Sequence, residues 1–146
     1  MSGESSNDDP RTYDNPVGEK ATLREYLGNY RLTLDMKCGG LDARVLQGKT
    51  DRPRLFKRDD DKDADFNGAV SDLAVVAEAF AAWKAEIAAA DEWLDALTED
   101  DLGEEVPFDD GTVSVRDVLG HVIEEYARHA GHADLLRECI DGRTGQ

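Results

Sequence analysis

The sequence predicts an all-α fold, an up-and-down helical bundle with three main helices. Three observations carry this expectation. Apolar residues recur every three or four positions in three separate segments, the period of a helix with one buried face. Glycines and short polar residues that stop or cap helices bracket those segments. No segment shows a convincing alternation of apolar and polar residues of the kind a half-buried strand requires.

The first eighteen residues, MSGESSNDDPRTYDNPVG, are polar and acidic with few apolar groups, so 1–18 reads as a flexible N-terminal arm. Residues 19–146 read as one bundle domain, the size of a single core. The first helical pattern runs from Glu19 through Leu23, Tyr26, Leu27, Tyr30, Leu34 and Cys38, and Gly39-Gly40 is its expected stop. LDARVLQ reads as one or two further turns. The run from Gly48 to Gly68, with Pro53 and many aspartates, reads as a solvated loop, because it lacks the spacing of a calcium-binding loop. The clearest pattern covers Ser71 to Leu97: Leu73, Val76, Phe80, Trp83, Ile87, Ala90, Leu94 and Leu97, with Ser71 as expected N-cap. TEDDLGEEVPFDDGTVSV reads as a connector with turn signals at Pro107 and Asp110-Gly111, and with Phe108 tucked onto the core. Ser114 then caps the last helix with Asp117 as its capping-box partner. That helix has a seam of Val115, Leu119, Val122, Tyr126, His129, Ala133, Leu136 and Ile140, and it ends at Gly142.

Composition narrows the partners. The chain carries 33 acidic against 17 basic residues, a formal charge of −16. Such a surface repels nucleic-acid phosphates and anionic membranes, so neither is an expected partner. No stretch is long and apolar enough to read as a membrane span, and the start lacks the pattern of a signal peptide, which together point to the cytoplasm. The two cysteines, Cys38 and Cys139, are far apart and read as reduced thiols.

All three histidines, His121, His129 and His132, belong to the last helix. At about 100° per residue, they and Glu125 project within an arc of roughly 80°. His129 takes a seam position and Glu125 its border. Glu125 and His129 are four residues apart, one turn on the same side, a spacing that lets a carboxylate oxygen and an imidazole nitrogen reach one divalent ion. His132 and His121 are further candidate ligands. The opposing reading is an ordinary packed helix, with His129 hydrogen-bonded to a neighbour and Glu125 paired with Arg128.

VSVRDVLGHVIEEYARHAGHADLLRECIDGRTG closely resembles the last helix of the DinB-like superfamily and, more narrowly, that of its actinobacterial, mycothiol-dependent branch. ATLREYLGNYRLTLDMKCGGLD resembles that branch's first helix. DDDKDADFNG followed by AWKAEIAAADEWL resembles its middle. The resemblance implies a DinB-like bundle in which three side chains hold a divalent metal, usually zinc or nickel. It also implies activation of a low-molecular-weight thiol, mycothiol or a relative, for S-transfer to an electrophile or for isomerisation. The glutamate–histidine pair of the isomerase type falls on Glu125 and His129. The family's third ligand is a histidine on the second helix, and this chain has no such segment; the match breaks around Arg44 and Val45. The bundle is therefore expected to be shortened to three main helices, with Asp35, Cys38 or Asp42 as substitutes for the third ligand. The neighbours' exposed seam would favour a homodimer. Two functions remain open on the sequence: a metal-dependent thiol transferase or isomerase relative, and a non-enzymatic bundle acting as a dimerisation or interaction module.

Overall fold

A computed structural model describes residues 10–37, 60–61, 72–108 and 111–142. In chain order the elements are helix α1 (Glu19–Lys37), helix α2 (Leu73–Ala96), a 3-10 turn (Asp100–Gly103), strands β1 (Glu105–Phe108) and β2 (Gly111–Ser114), and helix α3 (Val115–Asp141). The fold is the expected helical bundle. The expected stop at Gly39-Gly40, the turns in LDARVLQ and most of the aspartate-rich loop lie outside the described residues.

Four of the helix ends have an identifiable cause. Ser114 accepts a hydrogen bond from the backbone N–H of Asp117 at 3.1 Å, and Asp117 accepts one from that of Ser114 at 3.3 Å, the reciprocal box expected for α3. Gly142 ends α3 with φ +72°, a left-handed conformation that costs glycine nothing. Asp72, one residue beyond the expected Ser71, caps α2 by accepting from the N–H of Ala74 at 2.8 Å. The cap on α1 comes from far away in sequence. Glu99, just after α2, receives the Lys20 N–H on both carboxylate oxygens, at 3.2 and 3.1 Å. The close approach needs Gly18, whose φ is +104° and where a Cβ would lie 2.6 Å from Glu99 Oε1.

One expectation needs correcting. The segment after the 3-10 turn contains a short antiparallel hairpin, with Val106 opposite Val113 and Phe108 opposite Gly111. Four-residue strands, one interrupted by Pro107, are too short to show alternation, which is why the pattern was illegible. Phe108 does not tuck onto the core; it is 44% exposed at the hairpin end.

α2 runs antiparallel to α1 and α3. Lys20 near the start of α1 donates to the Leu97 carbonyl at the end of α2, whereas Asp35 near the end of α1 pairs with Lys84 at 3.1 Å. On the α3 side, Trp83 donates its indole N–H to the Tyr126 hydroxyl at 3.0 Å. Val115, at the start of α3, is hydrogen-bonded to Glu104, shortly after α2 ends. α1 and α3 therefore run parallel, and Glu19 and Arg116 pair at their common end. α1 and α3 also pack most closely, while α2 reaches them through long side chains.

Among the described residues, the core is one cluster of Leu27 and Leu34 from α1, Trp83 and Leu94 from α2, Leu102, and a row along α3 from Val115 to Ala133. Thr12, in the expected arm, exchanges two hydrogen bonds with Asn29 on α1. Seam residues at the margins are less covered than the periodicity implied. Tyr26, Val76 and Leu136 are exposed, and Leu136 has 62% of its surface open.

Replacing Tyr126 by Phe strands the buried Trp83 N–H and is expected to cost about 1–3 kcal/mol in urea denaturation. Gly18→Ala, which meets both a positive φ and the Glu99 carboxylate, is expected to lower the melting temperature, and Glu99→Ala in the same chain to restore part of it. The Asp117 carboxyl is held below the usual aspartate value of 3.8 by its hydrogen bonds to Ser114. Its contribution is then full above 3.8 and disappears as the pH falls through the lowered folded value. Asp117→Asn should therefore be less stable than the parent near neutral pH, with the gap closing well below pH 3.8.

Candidate functional site

The rotation of α3 about its own axis decides what its polar stripe faces. Val115, Val118, Leu119, Val122, Tyr126, Ala130 and Ala133 are all buried and turn one face of α3 inward. Glu125 precedes Tyr126, and His129 precedes Ala130. At about 100° per residue, each must sit at the edge of the buried face. Their side chains are 26% and 28% exposed. His129 is thus at the edge of the seam rather than within it, because Tyr126 and Ala130 occupy the inward positions. The stripe opens towards its ends: His121 has 45% of its side chain exposed, and His132 is exposed.

Glu125 is the centre of the arrangement. One oxygen, Oε1, accepts a hydrogen bond from Arg128 one turn on. The other, Oε2, stands 3.5 Å from His129 Nε2. His121 Nε2 approaches Oε1 at 3.9 Å and its Nδ1 lies 3.7 Å from Glu124. His132 packs its ring edge-on against His129, with centroids 5.8 Å apart. The hydrogen bond from the Arg128 guanidinium outweighs partial burial and holds the Glu125 carboxyl below the usual glutamate range, with smaller contributions from His121 and His129. Both readings of the sequence are therefore present in one carboxylate: an ordinary ion pair on one oxygen, and a facing imidazole on the other.

The 3.5 Å gap between Glu125 Oε2 and His129 Nε2 is longer than an ordinary N–H···O hydrogen bond. It matches what two donors bound to one ion require. Oxygen and nitrogen each about 2.1 Å from a tetrahedral zinc stand about 3.4 Å apart. An ionised carboxylate and an imidazole are also donors that zinc and nickel accept. The pair thus fits a divalent ion as two donors. Among the described residues, no group of three or more His, Cys, Asp or Glu side chains is placed to hold one. Asp35, a candidate substitute for the third donor, is engaged by Lys84 on the α1–α2 side. Cys38 and Asp42 lie outside the described residues. Cys139 is an exposed free thiol near the end of α3.

The sequence reading missed Arg31. Its side chain, 9% exposed, crosses from α1 to Asp91 on α2 at 2.6 Å, and its Nε is buried without a hydrogen-bond partner among the described residues. The signal was available: Arg31 lies four residues after Leu27 and three before Leu34, on the buried face of α1.

Because Glu125 and His129 sit at an edge and not in the core, Glu125→Gln or His129→Gln should change folding stability by no more than about 0.5 kcal/mol in denaturant titration. A loss several times larger would make them packing residues.

A family model described as mycothiol-S-transferase matches residues 43–142, more than half of the chain, including α2, the hairpin and α3. The expected resemblance reached back to Glu19; the matched span leaves α1 out and begins beside the break at Arg44 and Val45. No curated protein and no solved structure matches the chain.

Proposed function

We propose, since the chain belongs to the mycothiol-S-transferase family, that it transfers a mycothiol-type low-molecular-weight thiol to an electrophile or uses such a thiol to isomerise one. We place the working edge at Glu125 and His129. Family membership supports the thiol class. The observation that supports the location is an ionised carboxylate oxygen and an imidazole nitrogen set 3.5 Å apart on one edge of α3.

Each residue has a task in this reading. Glu125, oriented by Arg128 through Oε1, presents Oε2 as a donor. His129 presents Nε2 beside it. When bound at this pair, a zinc or nickel ion supplies the positive charge that favours thiolate over thiol near neutral pH. His121 and His132 flank the pair as groups to take up the proton that a thiol gives up, and as further candidate ligands. The half-exposed setting leaves room for a small thiol and its electrophilic partner to approach from solvent.

The surroundings support the same reading. A charge of −16 disfavours nucleic acid as a partner, and no described helix is long and apolar enough to cross a membrane. We place this work in the cytoplasm, where two widely spaced cysteines stay reduced thiols. A second reading, an association module, draws on Leu135 and Leu136, which leave 64% and 62% of their surface exposed near the end of α3.

The test is direct. Purified protein supplied with zinc or nickel is expected to hold the ion and to consume a low-molecular-weight thiol together with an alkylating electrophile. Glu125→Ala and His129→Ala should each lose both the bound ion and the transfer. If both variants keep a full complement of metal, the ligand assignment is wrong.

A further inference from the structure

We infer that Arg128 is a positioning residue that keeps a place open for the thiol: by occupying Glu125 Oε1, it limits that carboxylate to one oxygen on an ion at the α3 edge. The inference rests on the reading of the Glu125–His129 pair as an ion-holding edge.

The two oxygens of Glu125 have different surroundings. Oε1 accepts a hydrogen bond from the Arg128 guanidinium and has His121 Nε2 at 3.9 Å. Oε2 turns to His129 Nε2, 3.5 Å away. A carboxylate can meet a cation through one oxygen or through both. A charge-assisted hydrogen bond on Oε1 favours the first mode and sets the direction of the second oxygen. The choice matters because the edge is poor in donors. Among the described residues, no group of three His, Cys, Asp or Glu side chains is placed to hold an ion. The remaining places of a four-coordinate ion are then open to water and to the thiol. A second oxygen from Glu125 would take one of them.

Two simpler roles for Arg128 do not account for its place. Its side chain is 55% exposed, so as a surface pair with Glu125 it adds little to stability. Nor does it strengthen the hold on an ion by charge, since a cation beside the edge repels another cation. Its effect lies in which oxygen it covers, the one turned away from His129. The contact runs from one guanidinium nitrogen to one oxygen, and a lysine at the same i, i+3 spacing can make it too.

The experiment uses the full chain loaded with cobalt(II), a coloured stand-in for zinc. The probe thiol is 2-mercaptoethanol, uncharged and so not repelled by a chain of charge −16. Cobalt affinity is read by titration, and thiol affinity by the sulfur-to-cobalt charge-transfer band. Arg128→Met removes the donor and keeps an unbranched stem; Arg128→Lys keeps a cationic donor. Arg128→Met is expected to hold cobalt at least as tightly as the parent and to bind the thiol about tenfold more weakly. Arg128→Lys is expected to restore thiol binding. Parent-like thiol binding in Arg128→Met overturns the inference and leaves the ion-holding reading intact. So does loss of cobalt from Arg128→Met, or thiol binding in Arg128→Lys as weak as in Arg128→Met. A parent that holds no cobalt, or cobalt kept by both Glu125→Ala and His129→Ala, overturns both.

Discussion

The rotational setting of α3 is the constraint on which the site depends. Seven buried side chains between Val115 and Ala133 fix which face of the helix turns inward, and the Trp83–Tyr126 hydrogen bond pins that face to α2. With the face fixed, Glu125 and His129 have no freedom to be elsewhere. They flank Tyr126 and Ala130 and must emerge at the margin. Turning the helix by one residue would bury the imidazole and carboxylate and expose Tyr126 and Ala130, exchanging hydrophobic burial for the cost of desolvating polar groups. The chemistry at the edge is therefore positioned by packing that has no chemical role itself.

Polar contacts add to the apolar core where α2 meets α1. α2 meets α1 through Arg24–Asp95, Arg31–Asp91 and Lys84–Asp35, and Glu99 caps α1 from the segment after α2. Most of these pairs are partly exposed, so each adds little by itself. Arg31 differs because it is enclosed, and leaving a buried guanidinium unpaired costs more than an exposed pair contributes. Among the described residues, Arg116, Arg24, Arg31 and Lys84 pair where they fix helix orientation: at the common end of α1 and α3, and along the α1–α2 seam.

What could be read from the sequence was local. The Ser114–Asp117 box and the Gly142 stop follow from residues within a turn or two of one another and are present, and the inward row of α3 holds at Val115, Leu119, Val122, Tyr126 and Ala133 but not at His129 or Leu136. The Glu125–His129 spacing and the competing Arg128 were legible for the same reason. What depended on distant partners was not. Glu99 capping α1 joins residues 79 apart, and nothing near Lys20 announces it. The hairpin escaped because its strands are four residues long and stabilised by pairing, not by a periodic pattern. What stands opposite the Glu–His edge is likewise a matter of tertiary or quaternary arrangement, which the spacing along one helix does not encode.

Membership of the mycothiol-S-transferase family supplies the kind of chemistry, and the edge of α3 supplies a place for it. Linking the two is the claim that an oxygen of Glu125 and a nitrogen of His129 bind one ion. X-ray absorption at the metal edge of zinc-loaded protein tests it most directly. The account predicts a shell of nitrogen and oxygen donors at about 2.0–2.2 Å with imidazole scattering that His129→Gln removes. A shell dominated by sulfur at about 2.3 Å, unchanged by that substitution, would contradict it.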